Sequence, residues 1–341
     1  MYKKILITGS IAYDVLLGCD SVFSDSLTKS DSDAFTAIFL APHHKRHHGG
    51  TAANIGWNIA LLGGTPLVVA TLGNDGGPYR ELLRERGIDV SYIETIEHAV
   101  TSTAIIGTDT VGNQLGFFHA GADAHGTWPA YVSAETSAGR PDLSEETSAG
   151  RPDVTEERDD VSYAIISPRD ESVMMAAIAF CKQYGVPYVF DPGQRITSMA
   201  EDDLRRSIEG SYALIANEYE WSVISKRLNL TEENIALLTS RLFVTQGEKG
   251  VICFSESGAE TVGGCEADQV VNPTGAGDAL RAGLLVGLNA GWNIRDSLRL
   301  GCSMGSFAVE IEGTLIDHVD RDQVWQRAEE AYGEKLPLSV S

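Results

Sequence analysis

The chain has 341 residues, of which 43% are hydrophobic, and it carries a formal net charge of −22 at pH 7. A chain of this length can bury a sizeable core, and its acidic balance argues against nucleic-acid binding, which draws on a basic surface. The five cysteines are scattered and never spaced as Cys-x-x-Cys, so neither a disulfide framework nor a zinc site is indicated, and a cytoplasmic location is expected.

The first predicted element is a buried strand at residues 5–7, which ends in the small residues Gly9 and Ser10. Its apolar run is too short for a signal peptide or a membrane span, so no membrane partner is expected. Small residues at the end of a strand let a loop approach a ligand closely. We therefore expect a ligand site where this strand ends.

Strands and helices alternate along most of the chain. A helix is predicted at 52–62, where apolar residues recur at spacings of four and three, and strands are predicted at 66–72, 160–168, 187–192, 213–217 and 242–246. This alternation predicts a single α/β domain over residues 1–341, a three-layer sandwich whose mostly parallel central sheet is flanked by helices. Segments at about 13–48 and 101–118, rich in Ser, Thr, Asp and alternating apolar residues, predict a small β-sheet lid over the cleft.

One segment is a tandem duplication. Residues 135–145 and 146–156 are the same eleven residues except at Leu143/Val154 and Ser144/Thr155. Between residues 135 and 160 there are nine acidic residues and three arginines, a composition that buries little apolar surface. The range 135–160 is therefore predicted to be a duplicated acidic surface insertion.

The strongest chemical signal is Gly275-Ala276-Gly277-Asp278, which precedes a helix-compatible run at 279–288. Gly-Ala-Gly at a helix start leaves backbone N–H groups unshielded by side chains, so it can form an anion hole. A carboxylate beside such a hole can accept the proton of a substrate hydroxyl during phosphoryl transfer, which is the role predicted for Asp278. The alternative is that Asp278 only caps the helix.

The chain contains neither a Walker A loop nor a dinucleotide fingerprint, so a different kinase class is required. The Gly275–Asp278 motif resembles the second signature of the ribokinase-like (PfkB) family of carbohydrate and nucleoside kinases. Gly49-Gly50-Thr51-Ala52-Ala53-Asn54 resembles the first signature of that family. The resemblance implies an enzyme that uses ATP and Mg²⁺ to phosphorylate a hydroxyl of a small nucleoside or sugar.

The resemblance also implies which residues bind the acceptor. Asp14 is similar to the family's aspartate at the end of the first strand, which binds substrate hydroxyls, and Gly49, Gly50 and Asn54 occupy the substrate-binding signature. A carboxylate suits this task because it accepts hydrogen bonds from two hydroxyls. Without the family context, Asp14 is as well explained by a turn or a helix cap.

Two further motifs imply the nucleotide and metal contacts. Asn217 and Glu220 match the family's Asn-x-x-Glu, in which the acid helps to hold Mg²⁺, and Thr245 and Gly247 resemble a loop that touches the nucleotide. Mg²⁺ keeps most of its waters, so one or two acids suffice. On residue type alone, Glu220 is a solvated helix residue and the loop at Gly247 is a hairpin turn.

Charged residues near the signatures have two interpretations each. Arg281 either lies on the helix surface or reaches the transferring phosphoryl group, with the surface favoured. The four histidines of residues 43–48 suggest a metal site, but no neighbouring Cys or acid completes a ligand set. We instead expect a locally positive lid edge, where Lys45 and Arg46 attract anionic ATP to an acidic protein.

The acceptor is the least determined part of the prediction. Residues 49–58 and 113–122 look most like adenosine-kinase-like members, and Tyr13, Phe117 and Phe118 could stack on a base or simply pack the lid against the core. We expect adenosine, phosphorylated at its 5′-hydroxyl. The alternatives are a ribokinase- or fructokinase-like sugar kinase and a non-catalytic binding protein, which would not need Asp278 and Glu220 together. A homodimer through the β edge of the lid is left open.

Overall fold

The computed structural model describes residues 3–26, 37–130 and 152–337. In these ranges the strands are β1 Lys4–Thr8, β2 Ala12–Gly18, β3 His43–Gly49, β4 Pro66–Gly73, β5 Ile93–Ile96, β6 Ser102–Thr108, β7 Gln114–His119, β8 Val161–Ile166, β9 Tyr188–Phe190, β10 Ala213–Asn217, β11 Leu242–Thr245, β12 Val251–Ser255 and β13 Gly258–Val262. The helices are α1 Phe23–Ser26, α2 Thr51–Leu61, α3 Gly77–Glu85, α4 Glu171–Tyr184, α5 Glu201–Ile208, α6 Glu218–Leu228, α7 Ala276–Asn289, α8 Ile294–Ala308 and α9 Arg321–Tyr332.

The larger sheet has nine strands in the order β13-β12-β11-β10-β9-β8-β1-β4-β5. All neighbours from β11 to β5 pair in parallel, and only β12 and β13 at one edge are antiparallel. The chain builds outward from β1 in both directions, so a topological switch point lies between β1 and β8. Ligands of open α/β sheets bind in the crevice at such a point.

Helices cover both faces of the larger sheet, because its strands are apolar on both sides. On one face Leu6 and its neighbours pack against α4, α5 and α6. On the other face Ile5 and Ile7 pack against α2, α3, α7 and α8. The predicted three-layer sandwich with a mostly parallel sheet is therefore confirmed. None of the helices in the described part of the chain has the length and apolar character needed to cross a membrane.

The smaller sheet has four strands in the order β3-β2-β6-β7, drawn from both segments predicted to form it. We call these four strands the lid. Residues directly opposite each other in neighbouring strands share a face. Asp14 lies opposite His47 and Ala104, and Ala104 lies opposite Phe118, so these four residues share one face of the lid. Tyr13 lies on the other face.

The end of the duplicated segment is built into the fold. Residues 131–151 lie outside the described part, so the prediction of a surface insertion there stays a prediction. Val154, by contrast, is fully buried in the core beside α4, and its N–H donates to the carbonyl of Pro129 at 2.9 Å. The Glu157 carboxylate pairs with Lys4 at 2.6 Å. The described part of the range thus contributes to the core rather than only to the surface.

The two copies of the repeat supply a matched pair for measuring this. Val154→Ala should lower the free energy of unfolding by about 2 kcal/mol, because two buried methyl groups are lost and a cavity remains. Leu143→Ala, at the equivalent position of the other copy, should change it by less than about 0.5 kcal/mol, as at a surface site. Denaturant unfolding measures both. An equal loss in both variants would mean that each copy buries its aliphatic residue.

Candidate active site

The candidate site lies at the carboxyl edge of the larger sheet, where two helices begin. Helix α2 follows lid strand β3 after the single residue Gly50. Gly50 has φ +96°, and a Cβ there would lie 2.6 Å from the carbonyl oxygen of Ser10 in the loop after β1. Only glycine fits this turn. The close approach brings the first turn of α2, with Asn54, against the end of β1.

The second helix, α7, begins after Gly275, whose φ is +91°. The N–H groups in the first turn of a helix have no partner within the helix, so this end attracts anions. Ala276 and Gly277 open that turn, and Asp278 is its third residue. The structure therefore puts the four residues of the second signature together at a helix N-terminus, as the sequence predicts.

A hydrogen bond joins the two helix starts. Asn54 Nδ2 donates to Asp278 Oδ2 at 2.8 Å, and Asn54 is almost fully buried. The pKa of Asp278 is raised to about 6: burial is the largest cause, Arg281 and the hydrogen bond from Asn54 lower the pKa, and the carboxylates of Asp191 and Asp14 raise it. A carboxyl group with this pKa is ionised near neutral pH and is still basic enough to take a proton.

Asp14 approaches the site from the lid. Its carboxylate lies against Gly49, since a Cβ on Gly49 would be 2.3 Å from Asp14 Oδ2. Burial raises the pKa of Asp14, and the imidazole of His47, which lies opposite on β3, lowers it. Asp14 is also among the groups that raise the pKa of Asp278. The structure thus brings Asp14, Gly49, Gly50, Asn54 and Asp278 close together.

Arg281 is not on the helix surface. Only 8% of it is exposed, and its Nη2 donates to Asp191 Oδ1 at 2.7 Å. The other oxygen of Asp191 accepts from the Ser167 hydroxyl at 3.0 Å. The guanidinium lies alongside Gly277, since a Cβ there would be 2.7 Å from Nη1. The expectation of a surface arginine is therefore wrong: the charge is buried because Asp191 neutralises it.

Sequence reasoning missed both Asp191 and Ser167. Neither belongs to a motif, and Asp191 is 90 residues from its partner Arg281. Each is the first residue after a parallel strand, since Asp191 follows β9 and Ser167 follows β8. That position was the available signal, because the carboxyl ends of parallel strands line the ligand crevice.

Asn217 and Glu220 form a capping box at the start of α6. The Asn217 side chain accepts from the Glu220 N–H at 2.8 Å, and Glu220 Oε2 accepts from the Asn217 N–H at 2.8 Å. Burial raises the pKa of Glu220, the Asn217 N–H lowers it, Asp191 raises it and Arg281 lowers it. Glu220 is thus partly buried and electrostatically linked to the site, rather than a solvated helix residue.

Glu220 fits a role in holding Mg²⁺ together with phosphate oxygens. Its Oε2 is used by the capping box, and Mg²⁺ needs few protein ligands because it keeps several waters. In the ranges 3–26, 37–130 and 152–337 no cluster of three or more His, Cys, Asp or Glu residues forms a cage for a metal. An oxygen donor beside the crevice agrees with a metal that arrives with the nucleotide.

Thr245 and Gly247 lie at the same edge of the sheet. Thr245 ends β11 and lies opposite Asn217, which ends β10. Gly247 has φ +60° and opens a turn closed by the Gln246 N–H, which donates to the Gly250 carbonyl at 2.8 Å. The turn joins β11 to the antiparallel strand β12, so the hairpin predicted on local grounds is present.

The lid edge does not present the positive face that we expected. Lys45 Nζ lies 2.6 Å from the Glu312 carboxylate, and Arg46 lies 3.4 Å from Asp75 and stacks on the ring of Tyr13. Both cations are matched by carboxylates on neighbouring elements. A separate charge, Arg281, faces the carboxylates of Asp191, Asp278 and Glu220.

The three lid aromatics are not equivalent. Tyr13 is almost fully buried and packs against Tyr79 of α3, with ring centroids 5.6 Å apart, so it joins the lid to the core. Phe117 and Phe118 are 70% and 57% exposed and, as neighbours in β7, point to opposite faces. Phe118 shares the face of Asp14, whereas Phe117 does not.

Comparisons with known proteins agree with this geometry. The family described as "pfkB family carbohydrate kinase" matches residues 23–320. A nucleoside kinase of Methanothermobacter thermautotrophicus is 26% identical, with 98% of this chain and 99% of that protein aligned. A ribokinase of Bacillus subtilis is 24% identical, over 90% of this chain and 93% of the other. The structure of Burkholderia thailandensis nucleoside kinase in complex with inosine is 29% identical, with a TM-score of 0.80 and 97% and 99% coverage.

The pKa of Asp278 makes a prediction about stability. An unfolded aspartate has a pKa near 3.9, so the raised folded value of about 6 means that ionising Asp278 destabilises the folded state. Asp278→Asn should therefore unfold with a higher free energy than the parent at about pH 7.5, by at most about 3 kcal/mol. The difference should shrink as the pH falls below about 6 and vanish below about 3, where Asp278 is protonated in both the folded and the unfolded state. Denaturant unfolding of both proteins across this range measures it; a difference that does not change with pH would contradict it.

Proposed function

The chain belongs to the pfkB family of carbohydrate kinases and is an ATP-dependent kinase of nucleosides or sugars; within that class, we propose that its acceptor is a nucleoside, with the 5′-hydroxyl of adenosine as the first candidate. The observation that carries the proposal is the position of Asp278, a carboxylate with a pKa of about 6 at a helix N-terminus and close to Asp14. A base, an anion site and a hydroxyl-binding acid are the groups that this reaction needs.

In the proposed reaction, Asp14 accepts hydrogen bonds from the acceptor and aligns the reacting hydroxyl with Asp278. Asp278 takes the hydroxyl proton as the oxygen attacks the γ-phosphorus of ATP, a new O–P bond forms, and the bond to the β-phosphate oxygen breaks to release ADP. The N–H groups at Gly275, Ala276 and Gly277 hold the charge of the transferring group, and Arg281 adds a guanidinium beside Gly277.

The nucleotide contacts are proposed from the same edge of the sheet. Asn217, Thr245 and Gly247 lie there, next to the start of α6, and are assigned to ATP. Glu220 would hold Mg²⁺ through its carboxylate and that metal's waters. When bound, Mg²⁺ neutralises phosphate charge, which matters in a cleft where Arg281 faces three carboxylates.

A nucleoside is favoured over a sugar by the face of the lid that carries Asp14. Leu16, Ala104, Ile106 and Phe118 lie on that face together with Lys45 and His47, and they give it apolar surface beside the hydroxyl-binding acid. A base presents a flat apolar surface for an aromatic ring to stack on, and a sugar does not. The related B. thailandensis kinase is described with inosine bound, which supports the same choice.

The remaining alternatives are ranked below this one. A sugar kinase is the second candidate, because the B. subtilis relative is a ribokinase. A non-catalytic binding protein would not require a carboxylate with a raised pKa at a helix N-terminus. A cytoplasmic location stays a prediction, and a homodimer through the β edge of the lid stays open.

A panel of acceptors tests the proposal directly. ADP release with adenosine, inosine, ribose and fructose should give the highest kcat/KM for a nucleoside, and Asp278→Asn should lower kcat with that acceptor roughly 10²–10⁴-fold while nucleotide binding is retained. A preference for ribose or fructose would move the assignment to a sugar kinase. Near-parental turnover by Asp278→Asn would remove the base assignment.

Adjacent phenylalanines provide a matched test of base stacking. Phe118→Ala should raise KM for adenosine roughly 3- to 10-fold, because the ring on the Asp14 face is lost. Phe117→Ala removes the same ring from the opposite face and should change KM by less than about twofold. Initial-rate kinetics with both variants measures the difference, and equal effects would show that Phe118 does not contact the base.

A further inference from the structure

The segment Glu312–Thr314 lies between the lid and the start of α7. Lys45 of β3 pairs with the Glu312 carboxylate at 2.6 Å, and Gly313 lies against the imidazole of His47, also on β3. Asn272, three residues before Gly275, donates through Nδ2 to the carbonyl of Glu312 at 2.7 Å. This short segment therefore touches both the lid strand and the approach to the catalytic helix.

Thr314 makes the central contacts of the segment. It is only 2% exposed, and its hydroxyl lies 2.8 Å from Asn54 Oδ1 and 3.0 Å from the carbonyl oxygen of His48 in β3. Its Cβ packs on Gly275, where a Cβ would come within 3.1 Å. Asn54 in turn donates to Asp278 at 2.8 Å. A continuous path of contacts thus runs from the lid backbone through Thr314 and Asn54 to Asp278.

We propose that Thr314 is a positioning residue for phosphoryl transfer, which acts by orienting the Asn54 amide that holds the Asp278 carboxylate. The inference rests on the assignment of Asp278 as the base. No signature of the chain contains Thr314, and its place 260 residues from Asn54 gave the sequence no reason to single it out.

The chemistry of an amide explains why a second contact is needed. The carboxylate of Asp278 accepts from one end of the Asn54 amide, but one hydrogen bond leaves the amide free to turn about its Cβ–Cγ bond. The Thr314 hydroxyl has one proton and two acceptors within reach, Asn54 Oδ1 at 2.8 Å and the His48 carbonyl at 3.0 Å. Donated to the nearer Oδ1, that proton holds the other end of the amide, so the plane of the amide is fixed. Without that donor, Asn54 Oδ1 is a buried acceptor with no hydrogen bond. The free-energy cost of this state favours a turn of the amide away from its position.

Several charged groups face Asp278 and must be kept constant in any test. Arg281 lies on the same helix, Asp191 follows β9, and Asp14 approaches from β2 with His47 beside it. None of these groups is changed by a substitution at Thr314. Because Thr314 also contacts the His48 carbonyl beside His47, a displacement of the pH profile in a Thr314 variant is assigned to Asn54 only when it disappears in the Asn54→Ala background.

The experiment compares Thr314→Val, which keeps the shape but loses the hydroxyl, with Thr314→Ser, which keeps the hydroxyl but loses the methyl group that packs near Gly275. In Thr314→Val, kcat/KM should fall about tenfold or more, as for a misaligned catalytic group. In a plot of kcat/KM against pH, the fall in activity on the acid side (the acid limb) should move to higher pH. A poorly held Asn54 stabilises the ionised carboxylate of Asp278 less, and the pKa of Asp278 therefore rises. Thr314→Ser should keep the parental limb.

A double-mutant cycle with Asn54→Ala separates positioning from folding. If Thr314 acts through Asn54, the double variant Thr314→Val/Asn54→Ala should be no slower than Asn54→Ala alone. Should Thr314→Val fail to fold by thermal melt, Thr314→Ala, which buries no new methyl group, replaces it in both measurements. An unmoved acid limb, equal losses in the Ser and Val variants, or simple additivity in the cycle would each overturn the inference.

Asp278→Asn in the same assay separates this inference from the proposed function. If Asp278→Asn is inactive but the acid limb of Thr314→Val does not move, Asp278 remains assigned as the base and only the positioning role of Thr314 is overturned. Near-parental turnover of Asp278→Asn would overturn the base assignment and the inference together. Both the base assignment and the role of Thr314 are supported if Asp278→Asn is inactive, the acid limb is displaced in Thr314→Val, and the acid limb in Thr314→Ser matches the parent.

Discussion

The hydrogen bond between Asn54 and Asp278 is the contact on which the candidate site depends. It joins the first turns of α2 and α7, which meet at one edge of the sheet although Asn54 and Asp278 are 224 residues apart in the sequence. A partly buried carboxylate tends to become neutral, and here burial and nearby acids push in that direction. Asn54 and Arg281 oppose them. The balance leaves a carboxylate that is ionised near neutral pH yet retains an affinity for a proton.

The charge of the cleft places a second constraint on the site. ATP is an anion, yet Arg281 is matched by Asp191 and faces further carboxylates, and Lys45 and Arg46 are paired with acids. In the described residues, these side chains therefore contribute little net positive charge. Backbone N–H groups at the start of a helix attract anions without adding a formal charge, and this effect is confined to the first turn of the helix. Fixed dipoles at helix starts therefore offer an anion a site that needs no basic pocket in these acidic surroundings.

The sequence predicted the parts of the structure that depend on local pattern or on a motif. Strand and helix alternation was enough to predict the parallel sheet and its helical layers, and the two glycine signatures indicated both helix starts. It did not predict Asp191, Ser167 or Thr314, because their roles arise from partners far along the chain and each is an ordinary residue locally. The same reason explains the errors at Arg281 and Lys45, where a distant carboxylate decides whether a cation is buried or neutralised. Composition likewise gave no sign that Val154 is buried at the end of an acidic repeat.

The direct passage from β3 to α2 has a consequence for how this chain can vary. Only Gly50 separates the lid strand from the helix that carries Asn54, and its positive φ fixes the angle between them. An inserted or deleted residue at this junction would rotate α2 by about 100° relative to β3, since a helix makes a turn every 3.6 residues. Changes in length are better tolerated in exposed connections such as residues 256–257 between β12 and β13. The chain can therefore vary in length at such an exposed turn, whereas the junction at Gly50 must keep a constant length.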